Sequence, residues 1–392
     1  MGGKARFTYR VRLSATAQQA LLAEWDRCRW VWNQCVSESR DAYRAGRACG
    51  PAWLDKRLTR WREEHDWLGA GSTVPQQQTI RDFAKSRSKA CKDTKNRVPV
   101  RQRAGMPKYR KKRLTLPSLN YTRRGFTLDA QRVRLAGGIV VRPVWSRELP
   151  AAPSSVRLFR DSLGHWYCSF VVDAVAEPLP PTGAVIGIDW GVAETATTTS
   201  DGHDLPHTQR GKAAAAKLAR YQRMMARRKP VKGKPGSNGY KHAKHRAAKL
   251  HTKVARQRQD DARKWAKAVT RDFDQIAVED FKPRFLAKST MARKAADAAI
   301  AATKTALIDM ARKHQREVRL VDPKYTTMDC SNCDARTTHR LPLSERTYTC
   351  AACGLVKPRD KNSAAVMVAR AGFLPAGVDR VRPDGPPDRQ AA

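Results

Sequence analysis

Four cysteines and three acids are the residues of this chain whose types and spacing can do chemistry. Cys330-Ser331-Asn332-Cys333 and Cys350-Ala351-Ala352-Cys353 stand 16 residues apart, and Gly354 follows the second pair. Two CxxC turns at this spacing bring four thiolates to one tetrahedral Zn²⁺. In a reducing compartment that outcome prevails over two disulfides. All four positions are cysteine, so no ligand position stays open for catalysis and the site is structural.

The acids are Asp189, Glu279 and Asp360. Asp189 lies in Ala184-Val185-Ile186-Gly187-Ile188-Asp189-Trp190-Gly191-Val192, a short apolar run that reads as a buried strand. Period-two alternation puts Val185, Gly187 and Asp189 on one face, and the two glycines suggest open space beside the carboxylate. A lone acid among apolar neighbours is costly unless paired, protonated or metal-bound. Taken alone, it reads equally well as the cap of a turn. Glu279 ends a second apolar strand, Gln275 to Phe281. Asp360 follows Pro358-Arg359 at the start of the last helical segment, where an acid in the first turn is explained by capping. Together the three change meaning. Two strand-end carboxylates and one from a C-terminal helix are what a two-metal phosphodiesterase site requires. Two Mg²⁺ ions roughly 3.5–4 Å apart are bridged by such oxygens, one activating water and one stabilising the leaving oxygen.

The elements that must position these groups can be followed along the chain. Phe7 to Leu13 alternates as a half-buried strand. Ser14 or Thr16 caps a helix with an apolar face of Leu21, Trp25, Cys28, Trp32 and Cys35. A second helical segment carries Trp53, Leu54, Leu58, Trp61 and Trp67. Residues 116–172 read as short strands at 125–128, 132–135, 139–141, 156–160 and 166–172, with a hairpin turn at Asp161-Ser162-Leu163-Gly164. The strand at Phe7 joins this β-module, which makes the helices between them an insertion. A Pro-rich linker, Glu177 to Gly183, leads into the Asp189 strand. A strand at 195–200 follows, then a helical hairpin with arms at about 212–228 and 240–273. A helix at about 291–313 and a strand at 318–321 precede the cysteines.

Charge decides the partner. The 392 residues carry 77 Lys and Arg against 36 Asp and Glu, a formal charge of +41. Nucleic acid is the polyanion that neutralises such an excess. Residues 85–113 hold 13 Lys or Arg and one acid, Asp93. Glycine, proline and tyrosine are interleaved with them, which favours a backbone-tracking loop; Lys108, Tyr109, Arg110, Lys111, Lys112 and Arg113 are its candidate contacts. Residues 212–258 hold 16 Lys or Arg and no acid. A helix laced for its own stability mixes both signs, so Lys241, Lys244, Arg246, Lys249 and Lys253 are candidate phosphate contacts. No apolar run reaches the length of a membrane span, and no signal peptide or myristoylation signal opens the sequence. A cytoplasmic protein is expected. The five scattered cysteines, Cys28, Cys35, Cys49, Cys91 and Cys168, are expected in cores.

These motifs resemble the TnpB family of insertion sequences, relatives of type V CRISPR effectors. The resemblance rests on Gly187-Ile188-Asp189-Trp190-Gly191, Gly236-Ser237-Asn238 through Arg258, Ala277-Val278-Glu279-Asp280, Asp322-Pro323-Lys324-Tyr325-Thr326, Arg359-Asp360-Lys361-Asn362 and Gly105-Met106-Pro107-Lys108-Tyr109. It extends over nearly the whole chain, weakest before Gly105 and absent from the tail. Two positions depart from the family pattern. Pro358 replaces an acid, and Asp334 replaces the glycine after the first cysteine pair.

The resemblance implies an α/β multidomain protein. An RNase H-like (RuvC) nuclease domain would span 183–327 and 356–371, with a zinc ribbon inserted at 328–355. A β-barrel-like wedge module, 1–14 and 115–178, would carry a helical recognition insertion at 15–114. Residues 372–392 form a tail expected to be disordered. It also implies an RNA-guided DNA endonuclease. A structured guide RNA from the element's own end would pair with target DNA beside a short motif read by the protein. Mg²⁺ at Asp189, Glu279 and Asp360 would serve hydrolysis, and Zn²⁺ at the four cysteines would serve structure, with the basic hairpin lining the heteroduplex channel. The rival readings are a nuclease-inactive guided DNA binder, a non-enzymatic zinc-ribbon RNA-binding protein and a strand-transferring transposase.

Overall fold

A computed structural model of the chain describes residues 3–129, 131–231, 233–281, 289–339, 341–342 and 344–373. The expected disordered tail lies outside these residues from 374 onward. The chain divides into two compact units, Met1–Val175 and Ala176–Ala392.

The first unit combines a curled sheet with helices. β1 (Lys4–Arg12) leads into α1 (Ala15–Arg44), which Ser14 caps by accepting from the Ala17 N–H. The five residues of the expected apolar face of α1 are all buried. The second expected helix is broken at His65 into α2 (Pro51–Glu64) and α3 (Asp66–Gly69). Sequence reading misses α4 (Thr73–Lys95). Its apolar stripe is short, Ile80 and Phe83 flanked by buried Gln76 and Thr79, and the basic run overlaps its end. Lys85 to Lys95 therefore sit on a helix, and only the later part of that run is a loop.

The strands follow as β2 (Ser118–Thr122), β3 (Phe126–Asp129), β4 (Arg132–Leu135), β5 (Ile139–Pro143), β6 (Ser155–Arg160) and β7 (Trp166–Asp173). Their order is β2-β6-β7-β1-β5-β4-β3, with β1 antiparallel to both β7 and β5. The edge strands β2 and β3 are joined by a single 3-10 turn, Arg123–Gly125, so the sheet curls back towards closure. Gly164 (φ +88°) and the Asp161 carboxylate, which accepts from the Leu163 and His165 N–H groups, make the expected hairpin turn. One core lies under the sheet around Tyr9, Tyr121, Leu158 and Phe170, and another among the helices around Trp32, Leu58, Ile80 and Phe83. Of the five scattered cysteines only Cys91 is exposed, contrary to expectation, because it stands on the solvent side of α4.

The second unit is built on a five-stranded sheet. β8 (Val185–Trp190), β9 (Glu194–Thr198) and β10 (Leu205–Pro206) form an antiparallel meander. A hairpin follows, α5 (Arg210–Arg227) and α6 (Asn238–Asp272), and leads to β11 (Gln275–Glu279). The expected helix over 291–313 is two helices, α7 (Ala292–Ala298) and α8 (Ile300–Lys313). They break at Ala299, whose φ of +54° no continuous helix allows. β12 (Glu317–Val321) completes the order β10-β9-β8-β11-β12, in which β8, β11 and β12 run parallel. A small hairpin of β13 (Thr347–Thr349) and β14 (Val356–Pro358) then leads into α9 (Arg359–Arg370).

Helices cover both faces of β8. Ile186, Ile188 and Trp190 pack with Trp265 and Val269 of α6 and Leu307 of α8. Burial on both faces is why the strand reads as one apolar run rather than an alternation. The other face meets α9. A Cβ on Gly187 would stand 1.9 Å from the Ala364 carbonyl oxygen, so helix and strand touch through that glycine. The open space expected beside Asp189 is thus filled by helix backbone at Gly187, and at Gly191 by the Glu194 carbonyl at 2.7 Å. Buried Arg316 fastens the sheet's far end, donating to the Thr270 and Pro180 carbonyls and pairing with Asp274 at 2.5 Å.

Candidate active site

Asp189 and Glu279 stand at the same end of the two central parallel strands. The register Ala277 to Gly187 and Val278 to Ile188 sets the two carboxylates side by side. Trp190 locks them there: its N–H donates to Glu279 Oε2 at 3.2 Å, and its indole Nε1 donates to the Glu279 carbonyl, also at 3.2 Å. Because Gly187 draws α9 onto the same face, the first turn of α9 brings Asp360 to this end. The helix N-cap is Pro358, which offers no capping side chain, and Asp360 lies in the first turn. Arg346 and Arg359 approach its carboxylate at 3.7 and 3.5 Å.

The electrostatics mark a crowded acidic site. Burial pushes the Asp189 carboxyl well above the usual range, and the charges of Glu279 and then Asp360 push it further. Burial likewise pushes Glu279 up to about 7, against the opposing pull of the Trp190 N–H. Two such neighbours ionise together more readily when positive charge enters, and without it the pair tends to share a proton. The three carboxylates interact electrostatically and offer the oxygen donors that a divalent cation takes, while among the described residues only the four cysteines draw their ligand atoms within 4.8 Å of one another. Around it lie cations that sequence reading does not single out. Lys304 pairs with Asp280 at 2.7 Å, and Lys361 pairs with Asp201 and Asp204 at 2.8 and 2.7 Å. Lys361 adjoins Asp360 in the chain, whereas Lys304 is brought to Asp280 by the packing of α8, so only for Lys304 does spacing along the chain carry no signal.

The four clustered cysteines meet. Their sulfurs lie within 4.8 Å of one another, with Cys330 to Cys353 at 3.7 Å and Cys333 to Cys350 at 3.6 Å. Those separations are far from a disulfide bond and close to the edge of about 3.8 Å that a ZnS₄ tetrahedron requires. The two turns are copies of one another. The Asp334 N–H donates to the Cys330 carbonyl as the Gly354 N–H does to Cys350, and both residues take positive φ, +59° and +73°. Asp334 thus keeps the turn that glycine would make. Backbone and Asn332 donors hold the Cys353 thiol down at about 6, which favours the thiolate a metal needs.

The candidate nucleic-acid contacts divide by environment. In the first unit Lys108, Tyr109, Lys111, Lys112 and Arg113 are exposed, whereas Arg110 is half-buried with its guanidinium 3.5 Å over the Trp32 ring. Arg110 is an anchor of the loop. Asn33 accepts from its N–H and donates to its carbonyl, and Trp32 Nε1 donates to the Lys108 carbonyl. Lys112 pairs with Asp26 at 2.5 Å. On α6, Lys241, Lys244, Arg246, Lys249 and Lys253 are all exposed, while Ala243 and Ala247 are buried beneath them. Among the described residues, no helix is long and apolar enough to cross a membrane.

Three family models match. Residues 169–290 match a "Probable transposase" model, OrfB of IS605, and residues 302–367 match the TNB domain of Cas12f1-like proteins. Residues 1–48 match a "Helix-turn-helix domain" model, although the structure places one strand and one uninterrupted helix there. A "Putative RNA-guided DNA endonuclease" of Streptomyces pristinaespiralis is 28% identical and aligns over 97% of this chain and 92% of its own length. A "Putative RNA-guided DNA endonuclease InsQ" of Escherichia coli (strain K12) is 26% identical, over 87% and 86%. Among solved structures, a chain of a Cas12f1–sgRNA–target DNA complex shares the fold. Its TM-score is 0.56 at 12% identity, covering 93% of this chain and 98% of that one.

Proposed function

This chain belongs to the TnpB family of insertion-sequence proteins, and from that premise we propose that it is an RNA-guided DNA endonuclease with its active site at Asp189, Glu279 and Asp360. The observation that carries the reading is that half-buried Asp189 and buried Glu279, side by side at the ends of two parallel strands, stand within electrostatic reach of Asp360 in the first turn of a helix. An isolated capping acid gains nothing from such neighbours. The sheet order, three antiparallel strands continued by two parallel ones, supports an RNase H-like (RuvC) domain over 183–327 and 356–371.

On this reading the three carboxylates hold divalent cations, Mg²⁺ by the hardness of their oxygens. When bound, Mg²⁺ supplies an activated water and neutralises the leaving oxygen of a phosphodiester. The protein's own residues do the rest. The Trp190 N–H fixes the Glu279 carboxylate, and the Gly187 contact fixes the depth of α9. The exposed lysines of α6 grip phosphates. The four cysteines hold Zn²⁺ in a ribbon at 328–355. The strands of 1–14 and 115–178 form the wedge module around the helical recognition insertion at 15–114. A structured guide RNA and its matched DNA are the partners, and the charge of +41 is the excess that such polyanions neutralise.

The test is cleavage of a matched plasmid by the protein purified with its element-end RNA and supplied with Mg²⁺. Asp189→Ala, Glu279→Ala and Asp360→Ala are each expected to bind RNA normally and to cut nothing. Cutting at the wild-type rate by Asp189→Ala sinks the proposed site. RNA-guided binding without cutting by the wild type establishes the nuclease-inactive alternative.

A further inference from the structure

The residues flanking Asp360 are each tied to a different part of the second unit. The Arg359 N–H donates to the Arg346 carbonyl at 2.7 Å, and its guanidinium donates to the Pro342 carbonyl at 3.0 Å. Lys361 reaches the loop after β9 through Asp201 and Asp204, and Asp204 in turn accepts from the Thr198 N–H at 2.6 Å. Asn362 is fully buried. Its Oδ1 accepts from the Ser331 N–H at 3.0 Å, and its Nδ2 donates to the Asp329 carbonyl at 2.8 Å. Asp329 and Ser331 are the two chain neighbours of Cys330. One side-chain amide therefore spans the first cysteine turn and joins it to the first turn of α9. The other end of α9 is fastened to the same place, because Arg370 pairs with the Asp329 carboxylate.

Among the described residues, Asp360 has no comparable tie of its own. Its ion pairs are with Arg346, which is exposed, and with the adjacent Arg359. Its position is inherited from the helix turn that its neighbours hold. A CxxC turn keeps its backbone shape only while its thiolates are ligated. Losing that shape would leave both polar ends of the Asn362 amide buried without partners, a cost the helix avoids by moving.

We propose that the four-cysteine ribbon positions the third carboxylate of the active site, with Asn362 as the positioning residue that links them. The inference rests on the active-site reading above and extends it. The ribbon is then a coordinate of catalysis as well as a folded module. A shift of about 1 Å at a metal ligand is enough to matter, and removal of partners beyond the ligands costs about 10- to 100-fold in metal affinity.

The experiment measures Mg²⁺-induced thermal stabilisation alongside single-turnover cleavage, both as functions of Mg²⁺ concentration, on the protein with its RNA. Zinc per chain is measured in parallel. Asn362→Leu is expected to retain zinc and to raise the half-saturating Mg²⁺ about 10- to 100-fold in both readouts. Asn362→Ser keeps a hydroxyl that can serve one of the two partners without burying a charge, so it gives a smaller rise and serves where the leucine variant does not fold. Cys330→Ser/Cys333→Ser, zinc-free, is expected to match Asn362→Leu, and the combined variant to be no worse than either. A wild-type Mg²⁺ response in a zinc-retaining Asn362→Leu overturns the coupling, as do multiplicative effects in the combined variant. The RNA has an Mg²⁺ response of its own, so the part due to the site is the difference between wild type and Asp189→Ala; no difference between them overturns the active-site reading, and the proposal with it.

Discussion

Replacing Asp189 by asparagine tests the electrostatics of the site without requiring catalysis. In magnesium-free buffer half-buried Asp189 and buried Glu279 both have carboxyls raised in the folded state by desolvation. A carboxyl raised on folding contributes fully only below its unfolded pKa, and that contribution is lost as pH rises through the folded value. For Glu279 the window runs from the ordinary 4.5 to about 7. That span of roughly 2.5 pH units, at about 1.36 kcal/mol each, amounts to about 3 kcal/mol of stability withdrawn by neutral pH. The introduced asparagine supplies from its amide the hydrogen bond that a shared proton would otherwise make. It also removes the charge conflict. Asp189→Asn removes the ionisation penalty of Asp189 and leaves that of Glu279, so the variant should be more stable than wild type at pH 8 without magnesium, each kcal/mol of gain reading as a rise of roughly 2–4 °C in Tm for a unit of this size. The gap should close near pH 4.5. Added Mg²⁺ should then stabilise wild type and leave the variant nearly unchanged, while cleavage is abolished. Thermal unfolding at the two pH values, with and without Mg²⁺, reads all of this. A variant less stable than wild type at pH 8 without Mg²⁺, or a gap independent of pH, would refute the reasoning.

Three further substitutions probe the supports of the site. Gly187→Ala drives a methyl into the Ala364 carbonyl at 1.9 Å, so α9 must lift; a loss of about 3 kcal/mol or more in thermal unfolding is expected, together with loss of cleavage. Arg316→Met leaves Asp274 without its buried partner and frees the Thr270 and Pro180 carbonyls, which should cost about 3 kcal/mol in denaturant unfolding, whereas wild-type stability would remove Arg316 from the fold's essentials. Asp334→Gly relieves a positive φ and should stabilise the ribbon by up to about 1 kcal/mol, read as slower zinc release to a chelator.

What is legible in the chain is what repeats locally. Strand alternation places β4 without error and locates β7 within a residue, and the cysteine spacing marks two turns that the structure superimposes hydrogen bond for hydrogen bond. The three acids can be found because each ends or opens an element, where a carboxylate needs a reason. What stays hidden is non-local or masked by charge. Helix α4 carries too few apolar residues to show a stripe, since Gln76 and Thr79 fill core positions by bonding to the Leu68 and Pro75 carbonyls. The break at Ala299 has no proline or glycine to announce it. Along the sequence Arg110 is one cation among several in its loop, and only the fold reveals the Trp32 ring beneath it.

Gly187 has one use in the sequence reading and another in the fold. In sequence, the glycine beside Asp189 reads as room for a ligand. The structure gives that room to α9, whose carbonyl at Ala364 occupies the place of the missing side chain. The consequence for the carboxylates is stronger than open space would have been. A helix seated on strand backbone lies closer than side-chain packing permits, and that closeness lets a residue of its first turn approach acids projecting from the strand ends. On the proposed reading, Asp360 comes within electrostatic range of Asp189 because Gly187 has no Cβ, and the third carboxylate is as much a product of position 187 as of position 360.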